Sequence, residues 1–161
     1  MNELIRLAKL ADLAEVADLD AEAFSPYGTQ EDFHTFAARL QAFPEGFVVS
    51  EQDGQIYAYG CAEKWREDRE PGLDENPLET HDPNGRIFCI TGMAVRTVQR
   101  GKGYGLAMLD RLIEIARQAG CEKIVLETTH AQGLYAKRGF TVVSSREQRG
   151  VRLDVMALDL I

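Results

Sequence analysis

No stretch of this 161-residue chain holds the roughly 20 consecutive apolar residues that a membrane-spanning helix requires. The opening run MNELIRLAKLADLAEVADLD carries an acid at its third position and has no uninterrupted apolar core, so it does not read as a secretory signal. Positive charge is in deficit. Lys and Arg number 18 against 26 Asp and Glu, for a formal net charge of −8. That balance argues against nucleic acid as the main partner, because a phosphate backbone needs a basic footprint. It is compatible with a cationic or amine substrate, and acidity of this size also serves solubility. Cysteine is scarce. Cys61, Cys89 and Cys121 are odd in number, far apart and set inside apolar patterns. No CxxC pair is available, so no metal site is expected. The three read as reduced core residues of a cytoplasmic protein.

What is present suits one α/β domain over residues 1–161, with 45% apolar and 27% charged residues. LIRLAKL reads as a short strand. A helix follows from Asp12, its expected N-cap, with Leu13, Val16, Ala17, Asp20 and Phe24 at mostly helical spacing. SPYG stops it. A second helix is expected from a Thr29 cap, with Phe33, Phe36, Ala37 and Leu40 on one face. GFVVSEQDGQIYAYGCAEKW is a hairpin turning at Asp53-Gly54. The polar segment from Arg66 to Arg86 reads as a long loop, a length that is uncommon unless functional or mobile. IFCITGMAV is a buried central strand, and its Gly92 suggests a bulge or a close backbone approach. Then come a glycine segment with an amphipathic helix, the strand KIVLETT, a short helix ending at Gly139, and two late strands. The order is β α α β β β α β α β β.

The segment RGKGYG, residues 100–105, stands where a strand passes into a helix. A helix start leaves backbone N–H groups without partners and carries partial positive charge. Glycines there let an anion approach the backbone, and Arg100 and Lys102 add charge. The segment therefore reads as a phosphate or pyrophosphate cradle. The P-loop pattern is absent. The dinucleotide fingerprint fails as well, because the sixth position from Gly101 is Leu106.

MAVRTVQRGKGYGLAMLDRLIEIA resembles the coenzyme A motif of the GNAT superfamily of N-acetyltransferases, Arg/Gln-x-x-Gly-x-Gly/Ala, which falls on Arg100, Gly103 and Gly105. A second family motif is matched by AQGLYAKRGF, on Ala131, Leu134, Tyr135, Gly139 and Phe140. The two helices and the hairpin upstream follow the family order, and only residues 64–86 lack a counterpart.

The resemblance implies a GNAT-like mixed central sheet of about seven strands with helices on both faces. It implies acetyl-CoA as co-substrate, with no metal, and an amine acceptor that is a small molecule or a protein amino group. Neither a nucleic acid nor a membrane partner is expected. The resemblance leaves room for a homodimer, because exposed late strands often pair in this family. In the family, the fourth and fifth strands splay and the pantetheine arm lies between them. Met93, Ala94 and Val95 would offer backbone groups to it, and Met93 or Ala94 the oxyanion donor. The pyrophosphate would rest on amides of Gly101, Lys102, Gly103, Tyr104, Gly105 and Leu106. Tyr135 would protonate the leaving thiolate. The strand that holds a glutamate in some members has none here, and Cys89 at that level reads as packing. Glu127 is the first choice of base, with Glu63, His130 or a water chain as alternatives. Thr128 stands where many relatives carry an Asn that contacts pantetheine. The acids of residues 64–86 would suit a lid over a cationic amine, or only a solvated insertion. His34 and His81 are expected at the surface. A different class remains open: a GNAT-fold module that binds acyl-CoA without turnover.

Overall fold

The computed structural model describes residues 4–161. One seven-stranded sheet is formed by β1 (Leu4–Leu7), β2 (Phe47–Gln52), β3 (Gln55–Trp65), β4 (Ile87–Val95), β5 (Lys123–Thr128), β6 (Thr141–Gln148) and β7 (Val151–Asp159). The α-helices are α1 (Leu13–Phe24), α2 (Phe33–Ala42), α3 (Pro77–Thr80), α4 (Tyr104–Gln118) and α5 (Gln132–Ala136). This is the expected order with α3 added inside the polar segment. Across the sheet the order is β1-β2-β3-β4-β5-β7-β6, antiparallel except between β4 and β5.

Both faces of the sheet are covered, which explains why its central strands are apolar without alternation. On one face α4 buries Met108, Leu109, Leu112 and Ala116 against Phe88, Ile124 and Leu126. These positions recur at helical spacing, and each large side chain contributes about 1.5–3 kcal/mol of burial. Gly60 lets α4 approach β3, since a Cβ there would lie 2.8 Å from a Leu112 methyl. On the other face Leu13, Val16, Leu19 and Phe36 of α1 and α2 pack on Phe47, Val49 and Tyr59. The β2–β3 hairpin turns as expected, with Asp53 and Gly54 both left-handed at φ 53° and 78°.

The feature that positions the site is a split in the sheet. β4 and β5 pair only from Ile87 to Cys89 against Lys123 to Val125. Beyond that level β4 stays on β3 as far as Val95, and β5 stays on β7 as far as Thr128. The two halves therefore diverge. The expected bulge is at the divergence. Ala62 faces Ile90 and Cys61 faces Gly92, so Thr91 is the extra residue in β4. Gly92 is also a close approach, because a Cβ there would lie 2.9 Å from the Tyr59 hydroxyl.

Several local expectations are corrected. Asp12 stands at the N-cap position of α1, but its side chain makes no cap bond to that helix. Its carboxylate takes the Arg6 guanidinium at 2.8 and 3.0 Å and the Lys9 N–H at 2.9 Å, and so fastens the end of β1. Thr29 does not cap α2, which starts later, with Asp32 accepting the Thr35 N–H at 2.9 Å. Phe33 is exposed rather than on the buried face. His34 is exposed, as expected. His81 is half-buried rather than freely exposed. Its Nδ1 accepts the Lys64 N–H at 3.0 Å and its ring stacks on Phe43.

The segment from Arg66 to Arg86 is pinned down rather than loose. Arg69 lies over the Trp65 ring and pairs with Glu75. Asp68 reaches Lys123, Glu70 accepts from the Ser144 hydroxyl, and Asp74 pairs with Arg149. Most of its acids are thus engaged with groups of the protein itself, which argues for strapping the segment down more than for an acidic lid.

Candidate active site

The split opens into a cavity of about 730 Å3. One wall is the edge of β4, with Met93, Ala94 and Val95; the other is Leu126, Glu127 and Thr128 of β5. Arg96, just past β4, donates its N–H to the Tyr57 carbonyl at 2.8 Å. Strand residues alternate in the side to which their backbone groups point. The N–H groups of Val95 and Met93 therefore turn away from β3 and toward the split, whereas that of Ala94 turns to β3.

At one end the cavity is lined by Arg100, Gly101, Gly103, Gly105 and Leu106. Gly101 and Gly103 are left-handed at φ 81° and 87°, and Gly103 is the N-cap residue of α4. A Cβ at Gly101 would meet nothing within 4 Å, so the backbone turn and not crowding demands glycine there. The first N–H groups of α4 are left free by helix geometry and point back along the axis. Lys102 is exposed and does not line the cavity. The Tyr104 ring is buried on the other side, with its hydroxyl 3.1 Å from Gln52 Oε1. Its side chain ties the start of α4 to the hairpin, which leaves only its backbone to the cradle.

Tyr135 lies on α5 against Phe140 and lines the cavity. Burial pushes its phenol up from the ordinary value, so it is a protonated donor at neutral pH. Thr128 serves the turn into α5, its hydroxyl oxygen accepting the N–H groups of Ala131 at 2.9 Å and His130 at 3.3 Å. Glu127 lines the cavity, but its carboxylate takes two Arg146 N–H bonds, at 2.7 and 2.8 Å. Both carboxylate oxygens are thus engaged by one guanidinium. Glu63 is outside the cavity lining and accepts from Trp65 Nε1 and Thr80 Oγ1, each at 2.6 Å. His130 lines the cavity and stacks on Tyr27 at 4.4 Å. Burial, and then the Arg100 charge, hold its pKa below the ordinary value, which favours the neutral imidazole. Cys89 is buried packing, and burial drives its thiol well up.

The cavity lining also contains residues that the sequence reading did not assign to the site: Asp20, Ala23 and Phe24 of α1, with Glu31, Tyr59 and Leu73. Asp20 did leave a signal, as a carboxylate on the apolar face of its helix. Arg146 and Leu73 left none, because their roles depend on which distant partners they meet.

A three-layered α/β fold whose sheet is split beside a glycine-lined helix start has a shape suited to an extended ligand with an anionic end. The model of the acetyltransferase (GNAT) family matches residues 13–140, and the chain belongs to that family. It is 35% identical over 72 residues to a probable glucosamine 6-phosphate N-acetyltransferase of Oryza sativa subsp. japonica, an alignment spanning 44% of this chain and 40% of that relative. The chain thus spans less than half the length of the curated relatives it matches. Among solved structures, YncA of Salmonella typhimurium with acetyl-CoA, a putative acetyltransferase, superposes with a TM-score of 0.74 at 23% identity, covering 100% of this chain and 95% of that one. The GNAT-like decarboxylase GphF in complex with isobutyryl-CoA gives 0.84 at 17% identity, covering 98% and 100%. At these identities the likeness concerns the fold.

Proposed function

We propose that the protein transfers an acetyl group from acetyl-CoA to a primary amine. The observation that carries this is the split between β4 and β5, with the glycine cradle at one end and the buried phenol of Tyr135 on its wall. Acetyl-CoA supplies an activated acyl thioester. The N–H groups of Gly101 through Leu106, with the Arg100 guanidinium, hold its phosphates. Val95 and Met93 offer backbone groups to the pantetheine arm. The Met93 N–H, turned toward the split, stabilises negative charge on the thioester oxygen. Tyr135 gives a proton to the departing thiolate, whose parent thiol has a reference pKa of about 8.5. Amino sugars enter as probes because the curated relatives carry glucosamine 6-phosphate in their names. The buried, protonated thiols suit a reducing cytoplasm.

Calorimetric titration with acetyl-CoA, using ADP and desulfo-CoA as controls, tests the cradle. Micromolar affinity that depends on the pantetheine arm is expected. A thiol-release assay with amine probes tests the transfer. Tyr135→Phe should lower kcat by roughly 10²–10⁴-fold and leave acetyl-CoA affinity in place. An unchanged kcat removes Tyr135 from the acid role. A second reading, acyl-CoA binding without turnover, is favoured by one observation: Glu127 is held by Arg146. It predicts tight binding and no thiol release with any amine.

A further inference from the structure

Three carboxylates line the cavity: Asp20, Glu31 and Glu127. Glu127 is held by Arg146, and Glu31 by Arg39 at 2.5 Å. Asp20 forms no ion pair among the described residues. It is only 1% exposed. It is held by two hydrogen bonds, one from the Tyr59 hydroxyl to Oδ1 and one from the Glu31 N–H to Oδ2 at 2.7 Å. An ionised carboxylate has about four acceptor sites, so two donors leave room for a proton. The surroundings aim the group. The Tyr59 hydroxyl reaches the bulge of β4 because Gly92 has no side chain in its path. Asp20 and Tyr59 therefore meet the cavity at the level where β4 leaves β5.

We infer that Asp20 is the proton acceptor for the amine, with Tyr59 as the residue that positions its carboxylate. The inference rests on the acetyl transfer proposed above. The ammonium form of the acceptor gives one proton to Asp20. The freed lone pair forms the C–N bond to the acetyl carbon. The C–S bond breaks with its electron pair on sulfur. The nitrogen loses its second proton to the medium, Asp20 passes the first proton on to the medium, and the thiolate is protonated from Tyr135, which regains one proton from the medium. One amide, one thiol and one released proton result. The titratable and charged groups facing Asp20 are Tyr59 from β3, Glu31 from the α1–α2 connection, Arg39 from α2 and the Cys61 thiol. Desolvation dominates among them and raises the Asp20 carboxyl to about 6. A base with a pKa close to the working pH is the more effective one.

The test is thiol release from acetyl-CoA across about pH 5 to 9, with glucosamine 6-phosphate and a short peptide bearing a free N-terminus as probes. Wild-type kcat/KM should fall on the acid side through about 6. Asp20→Asn should lower kcat by roughly 10²–10⁴-fold and abolish that limb, with acetyl-CoA affinity unchanged. Tyr59→Phe keeps the packing and removes one donor to the carboxylate. It should move the limb to higher pH, a displacement that loss of packing alone does not produce. Asp20→Asn working at the wild-type rate, or a limb unmoved in Tyr59→Phe, overturns the inference while the acetyl transfer stands. Wild-type protein that binds acetyl-CoA but releases no thiol with either probe overturns the transfer itself, and the role of Asp20 with it.

Discussion

Asp20 ionises inside the protein only against desolvation, and this has a signature in stability that is separate from catalysis. Burial pushes its carboxyl up from the ordinary 3.8 to about 6. Between these values the folded state holds the proton and the unfolded state has released it. The slope of stability with pH is then negative. The cost builds as pH rises from 3.8 to about 6 and is constant above. Its size is on the order of 2–3 kcal/mol. Asp20→Asn removes it, whereas the hydrogen bonding lost with the amide is the same at every pH. The variant should therefore gain on wild type in Tm between about pH 4 and about pH 8. Asp12 is the opposite case. The Arg6 guanidinium holds its carboxyl below the ordinary value, so its contribution is present at neutral pH and fades as pH falls through that range. Asp12→Asn should lose on wild type as pH rises through about 4. Thermal melts of both variants from about pH 2 to about pH 8 check the two signs together. The sequence shows that both residues are acids, and Asp20 shows itself further by its place on an apolar face. It does not show that Arg6 folds back on Asp12, or that Arg146 pairs with Glu127.

At the scale of elements, the start of α4 is where local sequence determines most. Gly101 and Gly103 are both left-handed, a conformation that costs an L-residue roughly 1–2 kcal/mol. Gly103→Ala should lower the folding free energy by about that much. It should also weaken acetyl-CoA binding, because the N–H groups at the helix start are aimed by that turn. Gly105→Ala is the control. A Cβ there would lie 3.5 Å from the Leu134 methyls, an ordinary contact. It should leave Tm nearly unchanged, and calorimetry on the two variants separates turn geometry from crowding. The glycine motif and the hairpin were legible because each rests on a few adjacent residues. Helix starts were less so. Thr29 and Asp32 are both good caps, and the choice falls to Asp32 once the Glu31 N–H is drawn to Asp20. The bulge could be suspected from Gly92, but its placement at Thr91 depends on β3 and β4 pairing in one register.

For the whole molecule, the cavity is lined in part by segments that no local pattern connects. Gln148 accepts the Leu73 N–H at 3.1 Å and donates to the Leu73 carbonyl at 3.3 Å, although 75 positions separate them. Arg149 pairs with Asp74 and donates to the Gly28 carbonyl, which ties the β6–β7 turn both to the polar segment and to the α1–α2 connection. Arg146 bonds Glu127 and Gln148 together. From sequence the polar segment offers many acids and the last hairpin several arginines, and nothing selects which pairs meet. The fold does so by laying the segment against β5, β6 and the β6–β7 turn. Leu73 is thereby placed on the lining of the cavity. Gln148→Ala removes both bonds to Leu73 while leaving the cradle and Tyr135 in place. Surface bonds of this kind stabilise the fold by about 0.5–1.5 kcal/mol each, so Tm should fall only slightly. The acceptor KM should rise several-fold, with acetyl-CoA affinity and the acid limb of the pH profile kept. A variant that instead lost acetyl-CoA affinity would show that the strap supports the split itself, and that the polar segment belongs to the co-substrate end of the site.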